Sequence, residues 1–364
     1  PLDVSPDDGM SKLQVKTLPG FGVVGSYKTT TAQKLLIYEF QYDMSKYLSS
    51  GSIKHSIDNP ISSFTLTLEN PVDEETEIEG PVVMNEKSTL LSPGAKIIFR
   101  FGMGDDYEEY EMGTFYVDRS NYSVRSNTAS VDGRNLIGKA LKDQTLNENN
   151  VISYDIITNI INGILEKANL GIDQYEVEYE ATNRRFRFDP NKNVLAALEE
   201  IFRTMVDWKM EETVEGEIIV GSPSYGLFPT RGMYNFQRDK DIFSRAITMD
   251  DQGSYRKVCV HDSEWNIEIY EDVASFSGWN LQSNKTLFVQ VAEGTSTANA
   301  QAIATELASR LESVGKVETF TGPFRPQLLV GDGATIMDSE GNTELGLITE
   351  ITHNFGKSGF TTNF

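Results

Sequence analysis

The sequence is poor in several things. It has one cysteine, Cys259, in 364 residues, so an internal disulfide is excluded and synthesis in a reducing cytosol is expected. No run approaches the roughly 18 apolar residues of a membrane span, so no stable membrane insertion is expected. The opening PLDVSPDDGMSKLQVK has neither a basic start nor an apolar stretch, and no secretion signal is read in it. The three histidines, His55, His261 and His353, form no HxxxH or HxH pair, and none stands at a zinc spacing from Cys259. A GxSxG nucleophile elbow is absent. Bases are scarce: 32 Lys and Arg against 54 Asp and Glu give a net charge of −22. A field of that sign repels DNA and anionic membranes, which argues against a sequence-specific reader of nucleic acid.

What is present is the composition of a soluble globular chain, 39% hydrophobic and 24% charged, long enough for two or three cores. Residues 1–30 read as an N-terminal arm. From 31 to 142 short alternating segments with turn signals between them predict a small antiparallel barrel. In SSFTLTLEN (62–70), Phe64, Leu66 and Leu68 share one face. The period then becomes helical. Residues 153–171 place Ile156, Ile157, Ile160, Ile161, Ile164 and Leu165 on one side, with Ser153 as cap and Gly171 as stop. Residues 193–210 predict a second amphipathic helix that includes Trp208, and GEIIVG (216–221) a buried strand. Residues 143–235 are therefore expected to form a mixed α/β middle domain. Strands return over 236–364, interrupted by a helix at 296–313, and predict a second barrel. The expected fold class is mainly β with α/β insertions: two related small antiparallel β-barrels plus a mixed α/β segment.

Motifs with chemical meaning are weak. GFGVVG (20–25) matches a nucleotide-binding turn, but the Thr-rich, strand-like segment after it lacks the helix whose N–H groups would meet phosphates. DSEGN (338–342) lacks the acidic series of a calcium loop and reads as a hairpin turn. In NRRFRFDP (183–190), arginines alternate with Phe186 and Phe188. That pattern serves single-stranded nucleic acid, but it equally makes a strand with phenylalanines inward and arginines outward. No cofactor and no metal are expected, and no catalytic residue is singled out. The run DDYEEYE (105–111) contributes Asp105, Asp106, Glu108, Glu109 and Glu111 as candidate interface or lumen acids.

One phrase occurs twice. LLSPGAKIIFRF (90–101) is echoed by LLVGDGATIMD (328–338), each a leucine pair, a turn and then Gly-Ala-x-Ile. The sequence aligns Gly94, Ala95, Ile97 and Gly113 with Gly333, Ala334, Ile336 and Gly346. Glycines supply turn angles and β-branched residues fill the pleat, so the phrase reads as a duplicated barrel element.

The order of these pieces resembles the baseplate hub proteins of contractile phage tails and of phage-tail-like bacteriocins. Three stretches carry the likeness: LLSPGAKIIFRF…GTFYVDRSNYSV…ASVDGRNLIGKAL, then NVLAALEEIFRTMVDWKM, and last ANAQAIATELASRL…LLVGDGATIMD…GLITEITHNFGKSGFTTNF. The resemblance implies two related barrels per chain and a homotrimeric ring of pseudo-sixfold symmetry that joins the sixfold tail tube to the threefold spike. It implies as partners the chain itself, the tail tube protein, the central spike protein and other baseplate proteins. The place implied is a virion or bacteriocin particle after synthesis in the bacterial cytoplasm. Hubs of this family often continue into a wall-degrading domain, whereas here the last strand ends at Phe364, so a structural protein without its own enzyme is expected. A peptidoglycan-degrading tail enzyme and a carbohydrate-binding β module remain as alternatives. The tryptophans Trp208, Trp265 and Trp279 fall in separate segments, which speaks against the second.

Overall fold

The computed structural model describes residues 12–18, 42–43, 47–69, 91–103, 108–123, 128–146, 151–189, 191–205, 208–222, 226, 228–248, 255–262, 264–273, 285–291, 295–312, 317–337, 340–357 and 359–364. The chain opens with β1 (Lys12–Leu18), β2 (Tyr42–Asp43), β3 (Leu48–Ser56), β4 (Ser63–Glu69), β5 (Lys96–Met103), β6 (Glu108–Ser123) and β7 (Thr128–Arg134), then a π-helical turn, Ile137–Lys142. A middle segment follows: β8 (Val151–Ile156), α1 (Ile157–Lys167), β9 (Tyr175–Val177), β10 (Asn183–Arg187), α2 (Val194–Phe202), β11 (Lys209–Glu212) and β12 (Ile218–Gly221). The last part contains β13 (Met233–Gln237), α3 (Arg238–Asp241), β14 (Ser244–Thr248), β15 (Lys257–His261), β16 (Glu268–Asp272), β17 (Thr286–Gln290) and α4 (Thr297–Glu312). It closes with β18 (Val317–Pro323), β19 (Gly333–Met337), β20 (Thr343–Leu347), β21 (Glu350–Gly356) and β22 (Thr361–Asn363). The fold is mainly β with α/β pieces.

The first and last parts repeat one strand order. In the first, neighbours run β3-β4-β7-β6-β5. In the last, β14-β18-β22-β21 run in the same sense, and β20, just before β21, pairs with β19 as the first half of β6 pairs with β5. The insertion β15–α4 occupies the place of the short β3–β4 connection. It is a three-stranded sheet with a helix rather than a helix alone. Val258, Val260, Ala300, Ile303, Ala304 and Ala308 give it a core of its own.

Two separate barrels were expected, and here the structure differs. Among the described residues neither set closes by hydrogen bonding. The second edge of β3 is taken by β21, from Glu350↔Ser56 to Gly356↔Ser50, so the two modules fuse into one eleven-stranded sheet. The separate β13-β19-β20 sheet faces part of this surface across Phe236, Phe320, Ala334, Ile336 and Ile351. Residues 12–18 of the supposed arm form β1, antiparallel to β5; the alternation in KLQVKTL suits that strand. The first module's core is a phenylalanine cluster. Phe64, Phe99 and Phe115 have ring centroids 5.4–5.5 Å apart, and Phe355 joins from β21 at 5.9 Å from Phe99. Each buried ring contributes about 2–3 kcal/mol through area, and tilted pairs add roughly 1 kcal/mol.

In the middle segment, Ile157, Ile160, Ile161, Ile164 and Leu165 of α1 pack on Leu195, Ala197, Leu198 and Ile201 of α2. The helix limits differ from those the sequence predicts. Ser153 lies in β8, and the helix starts after Ile156. It ends at Lys167, with Asn169 rather than Gly171 in the left-handed region (φ 56°), a conformation asparagine tolerates. The second helix stops at Phe202, so Trp208 lies outside it, and Lys209 begins β11. Asn193 caps α2, its Oδ1 accepting from Ala196 N at 2.7 Å. The helix expected at 296–313 is α4, Thr297–Glu312, with Ser296 Oγ accepting from Asn299 N at 3.2 Å.

Candidate functional site

Two features organise the molecule: the repeated turns that start the paired hairpins, and a crevice where the parts meet. In the first turn, Gly94 N donates to Val117 O (2.7 Å), Val117 N to Ala95 O (2.9 Å) and Ala95 N to Ser92 O (2.9 Å). In the second, Gly331 N donates to Ile348 O (2.7 Å), Ile348 N to Asp332 O (2.8 Å) and Asp332 N to Leu329 O (3.1 Å). The same three bonds recur, and Gly94 and Gly331 share φ near 90° (91° and 90°). The backbone therefore matches Gly94 with Gly331, Ala95 with Asp332 and Ile97 with Ala334. This is displaced by two residues from the letter alignment of Gly94 with Gly333 and of Ile97 with Ile336. Likewise Phe115 rather than Gly113 faces Ile97 as Gly346 faces Ala334. The misreading has a simple cause: Gly-Ala-x-Ile matches by side chain, whereas the turn is fixed by which glycine must carry positive φ.

Asp332, where the first turn has Ala95, is buried and works as a clasp. Its Oδ1 accepts from Gly232 N and its Oδ2 from Leu329 N, each at 2.7 Å. Arg231 next to it pairs with Glu211 on β11, tying this turn to the middle segment.

The crevice, of about 840 Å³, is bordered by His55, Trp208, Glu211, Glu212, Arg231 and Leu328 among others. Glu212 Oε2 accepts from Ile137 N at 3.1 Å, placing a carboxyl at the start of the π-helical turn. Its Oε1 is buried with no hydrogen-bond partner among the described residues. Burial pushes this carboxyl up to about 8 against the opposing pull of the Leu136 and Ile137 backbone N–H groups. Partial burial pushes Tyr116 up to about 12, with Glu212 adding to the effect. Arg134, just before that turn, binds Asp118 (2.5 and 3.0 Å) and, at the turn's far end, Asp143 (2.6 and 3.1 Å). Burial alone would raise Asp118, but hydrogen bonds from Arg134 and Lys139 hold it below its ordinary value.

His353 lies in β21. It is buried, with its ring centroid 6.5 Å from that of His55 across the β3–β21 seam. Burial lowers His55 to about 4; burial and then the neighbouring His55 lower His353 to about 3. Both rings are neutral at ordinary pH and bonded through Nδ1, to Ser62 Oγ (2.8 Å) and Thr362 Oγ1 (3.1 Å). Only the tertiary pairing of β3 with β21 brings them together.

Of the acidic run, Asp105 and Asp106 lie outside the described residues, as do GFGVVG and Trp279. Glu108 and Glu109 occupy β6 opposite Met103 and Gly102, and Glu111 pairs with Arg100 at 2.5 Å. Phe186 of β10 and Phe188 just after it are buried, and Arg185 and Arg187 are exposed. Of DSEGN, Asp338 and Ser339 lie outside the described residues, and Glu340, Gly341 and Asn342 lead into β20, where Thr343 pairs with Met337. No group of metal-ligating side chains occurs among the described residues, and no described helix is long and apolar enough to cross a membrane. On the insertion, Trp265 stacks on His261 at 3.9 Å with the exposed Phe288 ring 6.3 Å away, and Tyr270 is also exposed.

The chain is similar in fold to phage tail proteins across nearly its whole length. A tail protein from Neisseria meningitidis MC58 shares the fold at 16% identity and TM-score 0.63, covering 97% of this chain and 95% of that one. The 43 kDa tail protein of prophage MuSo2 from Shewanella oneidensis does so at 11% identity and TM-score 0.64, covering 97% of each chain. The E. coli c3393 protein is described as a type VI secretion component with structural similarity to the T4 bacteriophage tail proteins gp27 and gp5. It matches at 10% identity and TM-score 0.50, over 87% of this chain and 72% of that one. No family model and no curated protein matches the sequence.

Proposed function

We propose that this chain is a structural hub of a contractile-tail baseplate, a homotrimer whose six β modules make a pseudo-sixfold ring between the sixfold tail tube and the threefold spike. The observation that carries this reading is the repeated strand order β3-β4-β7-β6-β5 and β14-β18-β22-β21/β20-β19, with the same turn hydrogen bonds in both copies. A module used twice per chain lets three chains offer one surface six times, which is how closed symmetry can bridge a mismatch. The role is mechanical rather than enzymatic. Its partners are the tube protein, the spike protein and other baseplate proteins, in a virion or a DNA-free bacteriocin particle. The likeness to tail proteins supports the setting.

Light scattering of the purified chain tests the trimer, and imaging of the assembled particle tests its place on the axis. A strict monomer at high concentration that gains no mass when spike protein is added overturns the proposal. A second reading, carbohydrate binding, is favoured only by the exposed Trp265, Tyr270 and Phe288 on the insertion. Glycan titration with tryptophan fluorescence tests it.

A further inference from the structure

The insertion turns one face of its sheet to α4 and the other to solvent. Val258 and Val260 of β15 pack with α4, so Cys259 and His261 lie on the opposite face. On that face Tyr270 and Phe288 flank Cys259 from the two neighbouring strands, and Glu268 stands opposite His261. Trp265 stacks flat on His261, with ring planes 1° apart. Trp265, Tyr270 and Phe288 are 51%, 49% and 56% exposed, and an aromatic face of this kind marks a contact.

The stack is held in place by its own turn. Trp265 has φ 60°, a left-handed conformation that a bulky residue avoids. Buried Asp262 keeps it there. Its Oδ1 accepts from Asn266 N at 2.7 Å, and its backbone O accepts from Trp265 N at 3.3 Å and from His261 Nδ1 at 2.9 Å. The indole is thus fixed, covered on one side by His261 and still half exposed. Carboxylates stand beside it. Glu264 accepts from Asn266 Nδ2 (3.0 Å) and Glu268 from the Tyr270 hydroxyl (2.7 Å), and neither meets a cation among the described residues. Two carboxylates next to an open indole suit a guanidinium, which stacks on the ring and binds carboxylate in the same plane.

The chain carries that group itself. Arg185 and Arg187 of β10 are exposed while Phe186 between them is buried, and neither has a carboxylate partner among the described residues. With 54 acids against 32 bases, arginines left without an acid point to one on another molecule. We propose, resting on the trimeric reading above, that Arg185 and Arg187 of one subunit dock on the Trp265 face of the next, stacking on the indole and pairing with Glu264 and Glu268. The occupant is a second copy because the unpaired charges of both signs belong to the same chain and stay apart within it. Both surfaces lie outside the repeated modules, one on the middle segment and one on the insertion, so the contact is made once per chain.

Charge reversal in the full chain tests it, with assembly followed by light scattering through a dilution series. Arg185→Glu with Arg187→Glu, and separately Glu264→Lys with Glu268→Lys, are each expected to raise the concentration needed for trimer about tenfold or more. Net charge alone would make the first pair assemble worse and the second better, because the chain is already strongly negative. Combining both pairs is expected to restore assembly to within about threefold of wild type. Trp265→Ala is expected to weaken assembly about tenfold, with circular dichroism unchanged because the insertion has its own core. A wild-type trimer that none of these variants weakens overturns the contact and leaves the trimer standing. Weakening by both pairs without recovery in the combination does the same. A wild-type monomer overturns both.

Discussion

Replacing Glu212 by glutamine is expected to stabilise the protein, increasingly so as pH rises. The carboxyl normally titrates near 4.5 and is pushed to about 8 here by burial. Between those values the unfolded chain has lost this proton while the folded chain keeps it, so folding must take a proton up. The group's favourable contribution is present below pH 4.5 and drains away as pH rises toward 8, by about 1.4 kcal/mol per unit. The whole window amounts to at most about 5 kcal/mol, and water entering the crevice reduces it; about 2 kcal/mol is the working figure. Glutamine keeps an oxygen for Ile137 N and never ionises. The assay is urea unfolding of both proteins at pH 5, 7 and 9, read by tryptophan fluorescence. The variant's midpoint should be close to wild type at pH 5 and clearly higher at pH 9. Infrared spectroscopy adds a direct check, since a protonated-carboxyl band present at pH 7 should vanish in the variant. Equal stability differences at all three pH values, with no such band lost, would refute the reasoning.

Gly94→Ala and Gly331→Ala should each cost about 1–2 kcal/mol, because both positions hold φ near 90° (91° and 90°); paired thermal melts check this, and unequal costs would break the turn correspondence. Phe355→Ala should cost about 3–4 kcal/mol, since that ring is 2% exposed in the first module's core; it should also speed proteolysis between the modules, which timed digestion measures. His55 and His353, lowered to about 4 and about 3, should make stability fall as pH drops from 6.5 toward those values, because the unfolded chain takes up protons that the buried rings refuse. Acid unfolding followed by circular dichroism tests that window, and His353→Gln should shallow its slope.

Legibility in the sequence followed the range of the interactions. Phe64, Leu66 and Leu68 alternate, so the face of β4 could be read directly, and the apolar stripes of α1, α2 and α4 could be read as helices. Local competition blurred their ends: Ile156 and Asn169 bound α1 because backbone geometry, not the nearest Ser or Gly, decides where a helix stops. The duplicated phrase was visible, but its register was not. Side-chain letters matched Gly333, while the positive φ and the three turn bonds belong to Gly331.

By itself the sequence determined the alternation of each strand, the helical stripes, the acidic surface and the presence of a repeat, because these depend on neighbours a few residues away. Only the tertiary structure decided that β21 would fill the edge of β3, that His55 and His353 would meet across that seam, and that Glu212 would lose water beside Ile137. Those outcomes depend on hydrogen-bonding edges and burial contributed by residues far apart in the chain. No local period encodes which distant edge a strand will choose.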